Sequence, residues 1–328
     1  MKNKPIYVEI GIKTEMDKLW EHTQTPELHQ QWDLRFSEIT YLPRSREDER
    51  QKFLYRTRVG FGLNITGTGE TKAEADGLAG HRISTLTFGS EQPISLIRQG
   101  GGYWKYKPNN EGVIFITQYD YRTRFGMVGQ LFDRILFRPL FGYATAWSFD
   151  MLRIWLEKQI PPAVSLQRAF VHYLSVIVLA VLWFYQGLVP KLLYPQSGES
   201  MLLQQTGWFP GWEAVILSAA GILEMGFALF MCLSHRRKWV YQLQALLLIL
   251  LGTAAVSGTP ELLQAPFNPL TLSLAMIVMG VLATGTITDL PNAAKCLRKP
   301  VKTNKPVNAD PKEGGECHGI HLSASVGQ

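Results

Sequence analysis

The residues with the greatest capacity for chemistry lie far apart in this chain. Glu224 sits inside the apolar run Trp212 to Leu233. An acid so placed is costly in hydrocarbon and usually faces a partner or a cavity. Two readings are open: a proton, ion or quinone-headgroup site, or a protonated or hydrogen-bonded structural acid packed on another helix. His172 and Gln186, on a separate apolar run, are the candidate partners, so Glu224, His172 and Gln186 form the candidate polar site of that region. His172 also suits an interfacial place, close to the end of its run.

A second group lies in the first half. In Phe53 to Val59 one face of a period-two pattern carries Phe53, Tyr55, Thr57 and Val59, and the other Leu54, Arg56 and Arg58. Val113 to Phe125 repeats the pattern, with Phe115, Thr117, Tyr119, Tyr121 and Phe125 opposite Gln118, Asp120, Arg122 and Arg124. The arginines could hold an acidic headgroup, but alternation makes them the solvated outside of a sheet and turns the aromatic face inward. An inward face bearing Tyr55, Tyr119 and Tyr121 fits either a filled core or an apolar cavity with a few polar groups. Cys317, His318 and His321 bring ligand-type atoms together but lack a second half, and the Pro, Lys, Gly and Asn around them read as disorder. Glu47-Asp48-Glu49 reads as a solvated turn. No Ser/His/Asp or Cys/His arrangement stands out, and no catalytic residue or metal site is assigned.

The elements that must position these residues fall into two halves. Mean hydropathy is −0.01, a value that describes neither half. Up to about Gln159 charge and aromatics mix as in a soluble fold; beyond Ala169 come long runs nearly free of charge. A spanning helix needs about 20 mostly apolar residues. Four runs qualify: Ala169–Val189, Trp212–Leu233, Trp239–Val256 and about Leu270–Thr288. Arg153, Lys158 and Arg168 precede the first, Arg236-Arg237-Lys238 link the second and third, and Lys295, Arg298, Lys299, Lys302 and Lys305 follow the fourth. Lys191 is alone in the loop between the first two spans, and Gly258 to Asn268 has no basic residue. By the positive-inside rule, both termini are expected in the cytoplasm, with the chain in the cell's inner (plasma) membrane. The formal charge of +6 therefore flanks apolar segments and meets anionic lipid; it is no nucleic-acid footprint. Three cysteines supply no disulfide framework and suit a reducing compartment for the tail. The N-terminus lacks the apolar core and cleavage site of a secretory signal peptide.

In the first half, Ile6 to Ile12 alternates as a strand. Thr14 offers an N-cap with Asp17 at the third helical position, and a second helix opens at Pro26. Strands separated by glycine-rich breaks follow. Val128 to Ile160 is a long amphipathic segment, kinked or broken at Arg138-Pro139; it would grip a ligand on one side and touch the bilayer surface on the other.

Val8-Glu9-Ile10, Lys18-Leu19-Trp20 and Pro26-Glu27-Leu28-His29-Gln30-Gln31-Trp32-Asp33 resemble the SRPBCC (START-like, polyketide cyclase-like) superfamily over residues 4 to 160. The resemblance implies an α+β helix-grip fold, an antiparallel sheet around a long C-terminal helix, enclosing a cavity for a hydrophobic ligand. It places Trp32 and Asp33 at the cavity mouth, with core packing the alternative for Trp32. Leu182 to Lys191, Gly221-Ile222-Leu223-Glu224 with Gly226, and Pro266-Phe267-Asn268-Pro269 are similar to the DoxX-like family. That resemblance implies an all-α four-helix transmembrane bundle, and some relatives are tied to quinone-linked electron transfer. The expected domains are residues 1–160, residues 168–290 and a disordered cytoplasmic tail over 291–328. The expected ligand site is Trp32, Tyr55, Tyr119 and Tyr121. No haem-attachment, paired-cysteine or nucleotide-binding motif is present, and no cofactor is expected. The favoured function is a non-enzymatic, membrane-anchored binding module for a lipid, quinone or isoprenoid; the alternative is a subunit of a quinone-linked membrane redox complex. Expected partners are membrane lipids and the hydrophobic ligand, with a membrane-protein partner or a second copy compatible with the small residues on the spans.

Overall fold

A computed structural model describes residues 4–46, 49–60, 62–75, 80–196, 198–264 and 268–300. Glu47 and Asp48, Pro266 and Phe267, and Cys317, His318 and His321 lie outside the described residues.

The chain runs β1 (Ile6–Ile12), α1 (Met16–Gln24), α2 (Pro26–Trp32), β2 (Glu38–Tyr41), β3 (Gln51–Gly60), β4 (Leu63–Ala75), β5 (Arg82–Gly89), β6 (Ile97–Asn109) and β7 (Gly112–Thr123). Then come α3 (Gly126–Phe132), a π-turn over Asp133–Phe137 and α4 (Arg138–Lys158). Among the described residues the strands form one seven-stranded antiparallel sheet, ordered β1-β7-β6-β5-β4-β3-β2. The first strand thus closes on the last, and α4 lies against the inner face. This is the helix-grip arrangement. The period-two pattern holds in β7: Val113, Phe115, Thr117, Tyr119 and Tyr121 are buried while Arg122 is exposed. Phe125 leaves the pattern, because at φ 64° it has turned out of the strand and is exposed. Gly67 and Gly69 on β4 let aromatics fold across the sheet: a Cβ at these positions would meet the Tyr55 and Phe53 rings at 2.4 and 2.3 Å.

One local expectation is corrected and another is met in part. Thr14 does not cap α1, whose N-cap is Glu15 without a side-chain bond. The Thr14 amide instead closes a turn onto the Ile12 carbonyl, and Asp17 reaches across to Arg82 at 2.5 Å. Val128 to Ile160 is not broken at Arg138-Pro139, but it is interrupted there: the π-turn ends at Phe137 and Pro139 lies in the first turn of α4. There the Arg138 amide bonds back to the Asp133 carbonyl, five residues earlier.

Among the described residues four helices are long and apolar enough to cross a membrane: α5 (Pro162–Leu188) with its π-helical extension to Leu193, α7 (Glu213–Ser234), α8 (Lys238–Gly258) and α9 (Pro269–Thr286). A short helix, α6 (Glu199–Thr206), joins the first two. Only 17 to 28% of each most apolar window is buried, so the outer faces, with Ile177, Val181, Leu223, Leu233 and Val281, are exposed. That pattern rules out core helices of a soluble fold and suits lipid-facing ones. At Gly187 and Gly221 the backbones of α5 and α7 meet so closely that a Cβ on either would lie 2.5 to 2.6 Å from the other's carbonyl. The first span, 32 residues and roughly 48 Å at about 1.5 Å per residue, is longer than the hydrocarbon needs. Its surplus turns enter the N-terminal half, where Ala169 and Tyr173 pack on the domain core.

The tail expected to be disordered from residue 291 begins as an ordered strap. Leu290, Ala293 and Cys296 are buried in the core of the N-terminal half. Lys158 pairs with Asp289, the Asp150 carboxylate accepts from the Asn292 amide at 2.8 Å, and the Ala146 carbonyl accepts from the Cys296 thiol at 3.2 Å. The strap therefore runs antiparallel to α4. It ends beside β1, where Glu9 and Leu297 exchange two backbone bonds of 2.9 Å. Three apolar residues spaced three apart suffice to dock it; the remainder, 301–328, lies outside the described residues.

Candidate functional site

The inner faces of β3 to β7, the turn after α2, the Ile94–Ile97 segment and one side of the π-turn and α4 enclose a cavity of about 420 Å³. This lies in the range of small-molecule sites, roughly 300–1,000 Å³. Its wall is mostly apolar: Phe36, Leu86, Phe88 and Trp104 from the sheet side, and Phe132, Phe137, Phe141 and Ala144 from the helical side. The opposite side of the helical segment carries Met127, Val128, Leu131, Ile135 and Leu140 and is exposed. One face thus lines the cavity while the other is free.

Of the four residues expected to contact a ligand, the structure brings Tyr55 and Tyr119 together on the wall. The Tyr55 hydroxyl donates to the Gly89 carbonyl at 3.1 Å, and burial pushes its pKa up to about 12. Trp32 lies elsewhere. It is fully buried, ringed by His29, Trp104, Phe115 and Phe149, and its indole N–H donates to the His22 carbonyl at 2.9 Å. Trp32 is a packing residue, the alternative reading of that position. Tyr121 is also off the wall, its hydroxyl donating to Asp133 at 2.7 Å while Arg138 stacks on its ring and binds the same carboxylate. Arg56 pairs with Glu38 on the outer face, and Arg124 turns onto the carbonyls of Ser90 and Gln92.

Sequence reasoning missed the one buried cation on the wall, Arg35. Asp33 holds it in a fork, accepting from Nε at 2.8 Å and from Nη2 at 2.6 Å. His29 Nε2 lies 3.0 Å from the same carboxylate. Burial would raise the Asp33 pKa, but the Arg35 charge and the bonds from Arg35 and His29 outweigh it and hold the carboxyl well below the usual range. The signal available was an Asp and an Arg two apart in an otherwise aromatic stretch, Trp32-Asp33-Leu34-Arg35-Phe36.

In the membrane half Glu224 meets neither expected partner side chain. Lys191, in the π-helical end of the first span, lies 3.0 Å from Glu224 and 2.9 Å from Glu199, both contacts largely shielded from solvent. The Glu224 contact is an ion pair whose angle departs from that of a hydrogen bond. Gln186 contributes only its backbone carbonyl, 3.3 Å from Lys191 Nζ. His172 lies at the other end of the bundle. Its Nδ1 donates to the Ala283 carbonyl at 3.1 Å, so in the neutral ring Nε2 accepts, and His235 Nδ1, 2.9 Å away, must donate. Beside this pair Arg236 reaches the Tyr173 hydroxyl and the carbonyls of Leu290 and Pro291. Among the described residues no cluster of three or more His, Cys, Asp or Glu is arranged to hold a metal.

Fold and spans define a membrane protein that joins a helix-grip domain to a bundle of four candidate membrane helices. Residues 180–281 match the DoxX-like family. The chain is 46% identical over 241 residues to the uncharacterized membrane protein YndG of Bacillus subtilis (strain 168), covering 73% of this chain and 81% of that protein. It belongs to the same family. Solved structures similar in part to the N-terminal half were also found. A STAR-related lipid transfer protein from Xanthomonas axonopodis is 17% identical, covering 45% of this chain and 83% of that one, with a TM-score of 0.36. The di-domain ARO/CYC StfQ from the steffimycin biosynthetic pathway is 12% identical, covering 47% and 51%, with a TM-score of 0.35.

Proposed function

We propose that the protein is a membrane-anchored binding module for a hydrophobic small molecule such as a lipid, quinone or isoprenoid. The observation that carries this reading is the apolar cavity of about 420 Å³, held beside a bilayer that stores such molecules. Filling the cavity without disturbing the sheet tests it. Small molecules extracted from purified full-length protein are identified by mass spectrometry and compared with those from Ala144→Trp, which places an indole in the cavity. A defined apolar molecule retained by the unmodified protein and lost from the variant is the expected result. Equal retention by both sinks the proposal.

The redox alternative gives Glu224 a proton or a quinone headgroup to handle. The Lys191 pair supports the structural role instead, since it already answers the acid's charge. Quinone-linked activity in membranes that falls in Glu224→Gln would reverse that preference.

We further infer that both termini face the cytoplasm. Support comes from Arg236, Arg237, Lys238, Lys295, Arg298 and Lys299, which lie at the end of the bundle that meets the helix-grip domain; the opposite loop has only Lys191, engaged with Glu199 and Glu224. Reporter fusions at each terminus, one active only in the cytoplasm and one only outside it, decide the orientation.

A further inference from the structure

Arg35 narrows what the cavity can hold, an inference that rests on the binding reading above. A guanidinium has five N–H groups. The Asp33 fork uses two of them, and the Tyr119 oxygen engages the same cation. The Tyr119 hydroxyl is free to accept, because its proton is committed elsewhere. The Thr145 hydroxyl donates to the Phe141 carbonyl at 2.8 Å, so in the 2.7 Å contact between Tyr119 and Thr145 the tyrosine must be the donor. No other acceptor meets Arg35 among the described residues, and it lies on the cavity wall with the rings of Phe36, Tyr119 and Phe141 within 5.4 to 6.0 Å. A buried cation with donors left over therefore borders an apolar space.

The charge of that cation is already compensated. Asp33 is fully buried, ionised and in bidentate contact with Arg35. A ligand carboxylate would be a second anion sharing one cation inside an apolar wall, and desolvating it would cost more than the shared contact returns. A carbonyl oxygen accepts the same hydrogen bond with a much smaller desolvation cost. Arg58, the other cation on the wall, is solvent-exposed and offers an anion little beyond what water does.

We propose that the cavity selects uncharged apolar molecules bearing a carbonyl oxygen, which accepts a hydrogen bond from the guanidinium of Arg35. Esters and quinone-type rings share this chemistry; ionised fatty acids carry a charge and plain hydrocarbons have no acceptor.

Competition photolabelling of the full-length protein in dodecyl maltoside tests the selection. The probe is a hexadecane analogue with a mid-chain diazirine, and labelled peptides are mapped by mass spectrometry to the cavity wall, Leu86 to Trp104 and Phe132 to Ala144. The unlabelled competitors are methyl hexadecanoate, a decyl-substituted benzoquinone, hexadecanoate and hexadecane. One or both carbonyl compounds should displace the probe at about tenfold lower concentration than hexadecanoate or hexadecane, a factor of ten being worth about 1.4 kcal/mol. Whichever of the two is stronger identifies the source. The paired variant Asp33→Asn/Arg35→Met, which leaves no lone buried charge, should label equally well but lose the ranking. Hexadecanoate as the best competitor, or four equal competitors, overturns the inference while leaving the binding reading intact. Failure of any cavity peptide to label overturns both. The ranking in the unmodified protein decides even if the paired variant fails to fold.

Discussion

Lys191 Nζ lies 3.0 Å from a carboxylate oxygen of Glu224, joining the end of the first span to the middle of the second beside the Gly187–Gly221 contact. Removing one member of a buried pair strands the other, at a cost of about 3–5 kcal/mol, whereas replacing both with apolar residues is often neutral or stabilising. Lys191→Met strands Glu224 and should lower the melting temperature of the detergent-solubilised protein sharply; Glu224→Leu should lower it less, because Lys191 keeps Glu199, and the double variant should recover most of the Lys191→Met loss. Additive losses in the double variant would show that the two residues do not act as a pair.

Ala144→Trp should leave the melting temperature close to that of the unmodified protein, since the indole enters existing space rather than displacing packed atoms. A loss of several kcal/mol, beyond the roughly 1–3 kcal/mol typical of overpacking, would mean that no usable space exists there. Calorimetry alongside the extraction experiment reports both.

His235 predicts a pH dependence. Burial, with the neighbouring His172 and Arg236, pushes its pKa down to about 4 from an ordinary value near 6.5. Between those values the unfolded chain binds the proton and the folded chain does not. The stability is therefore fully present above pH 6.5 and is lost as pH falls toward 4. Melting temperature should decline across that window, and His235→Gln should flatten the decline. An unchanged slope in the variant would assign the acid sensitivity to other groups.

The strap predicts a protected thiol. Burial, aided by the Asp150 charge, pushes the Cys296 pKa up to about 12, so a water-soluble maleimide should label it slowly in a Cys232→Ser/Cys317→Ser background. Arg236→Ala removes the hold on the Leu290 and Pro291 carbonyls and should speed labelling by about tenfold or more, the equivalent of about 1.4 kcal/mol. Fast labelling of the unmodified strap would contradict its docking.

The spans were legible because their signal is a sum over about twenty residues, and single polar exceptions do not erase it. The alternation in β3 and β7 was legible because one buried face imposes period two on every residue. Pairings across long sequence distances were not. Lys191 read as an isolated loop cation, and nothing local tied it to Glu224. Arg35 carried no sequence signal of its own because its burial is produced by Phe36, Tyr119 and Phe141, contributed from different elements. Leu290 to Leu297 is short and has only its two leucines as large apolar residues, beside a basic cluster, which is how an unstructured tail also looks. Trp32 illustrates the converse: its type marked it correctly as central, but the indole serves the core and not the cavity.

The strap also sets an order of assembly. Ribosomes complete residues 4–160 first, yet that domain lacks the piece that covers α4 and the edge of β1 until residues 290–297 emerge, after the fourth span. Until then, the apolar sites later taken by Leu290, Ala293 and Cys296 stay open to water or to chaperones. The helix-grip domain should therefore mature only after membrane insertion has finished, so that a chain stalled before its last helix is marked as immature on its soluble side.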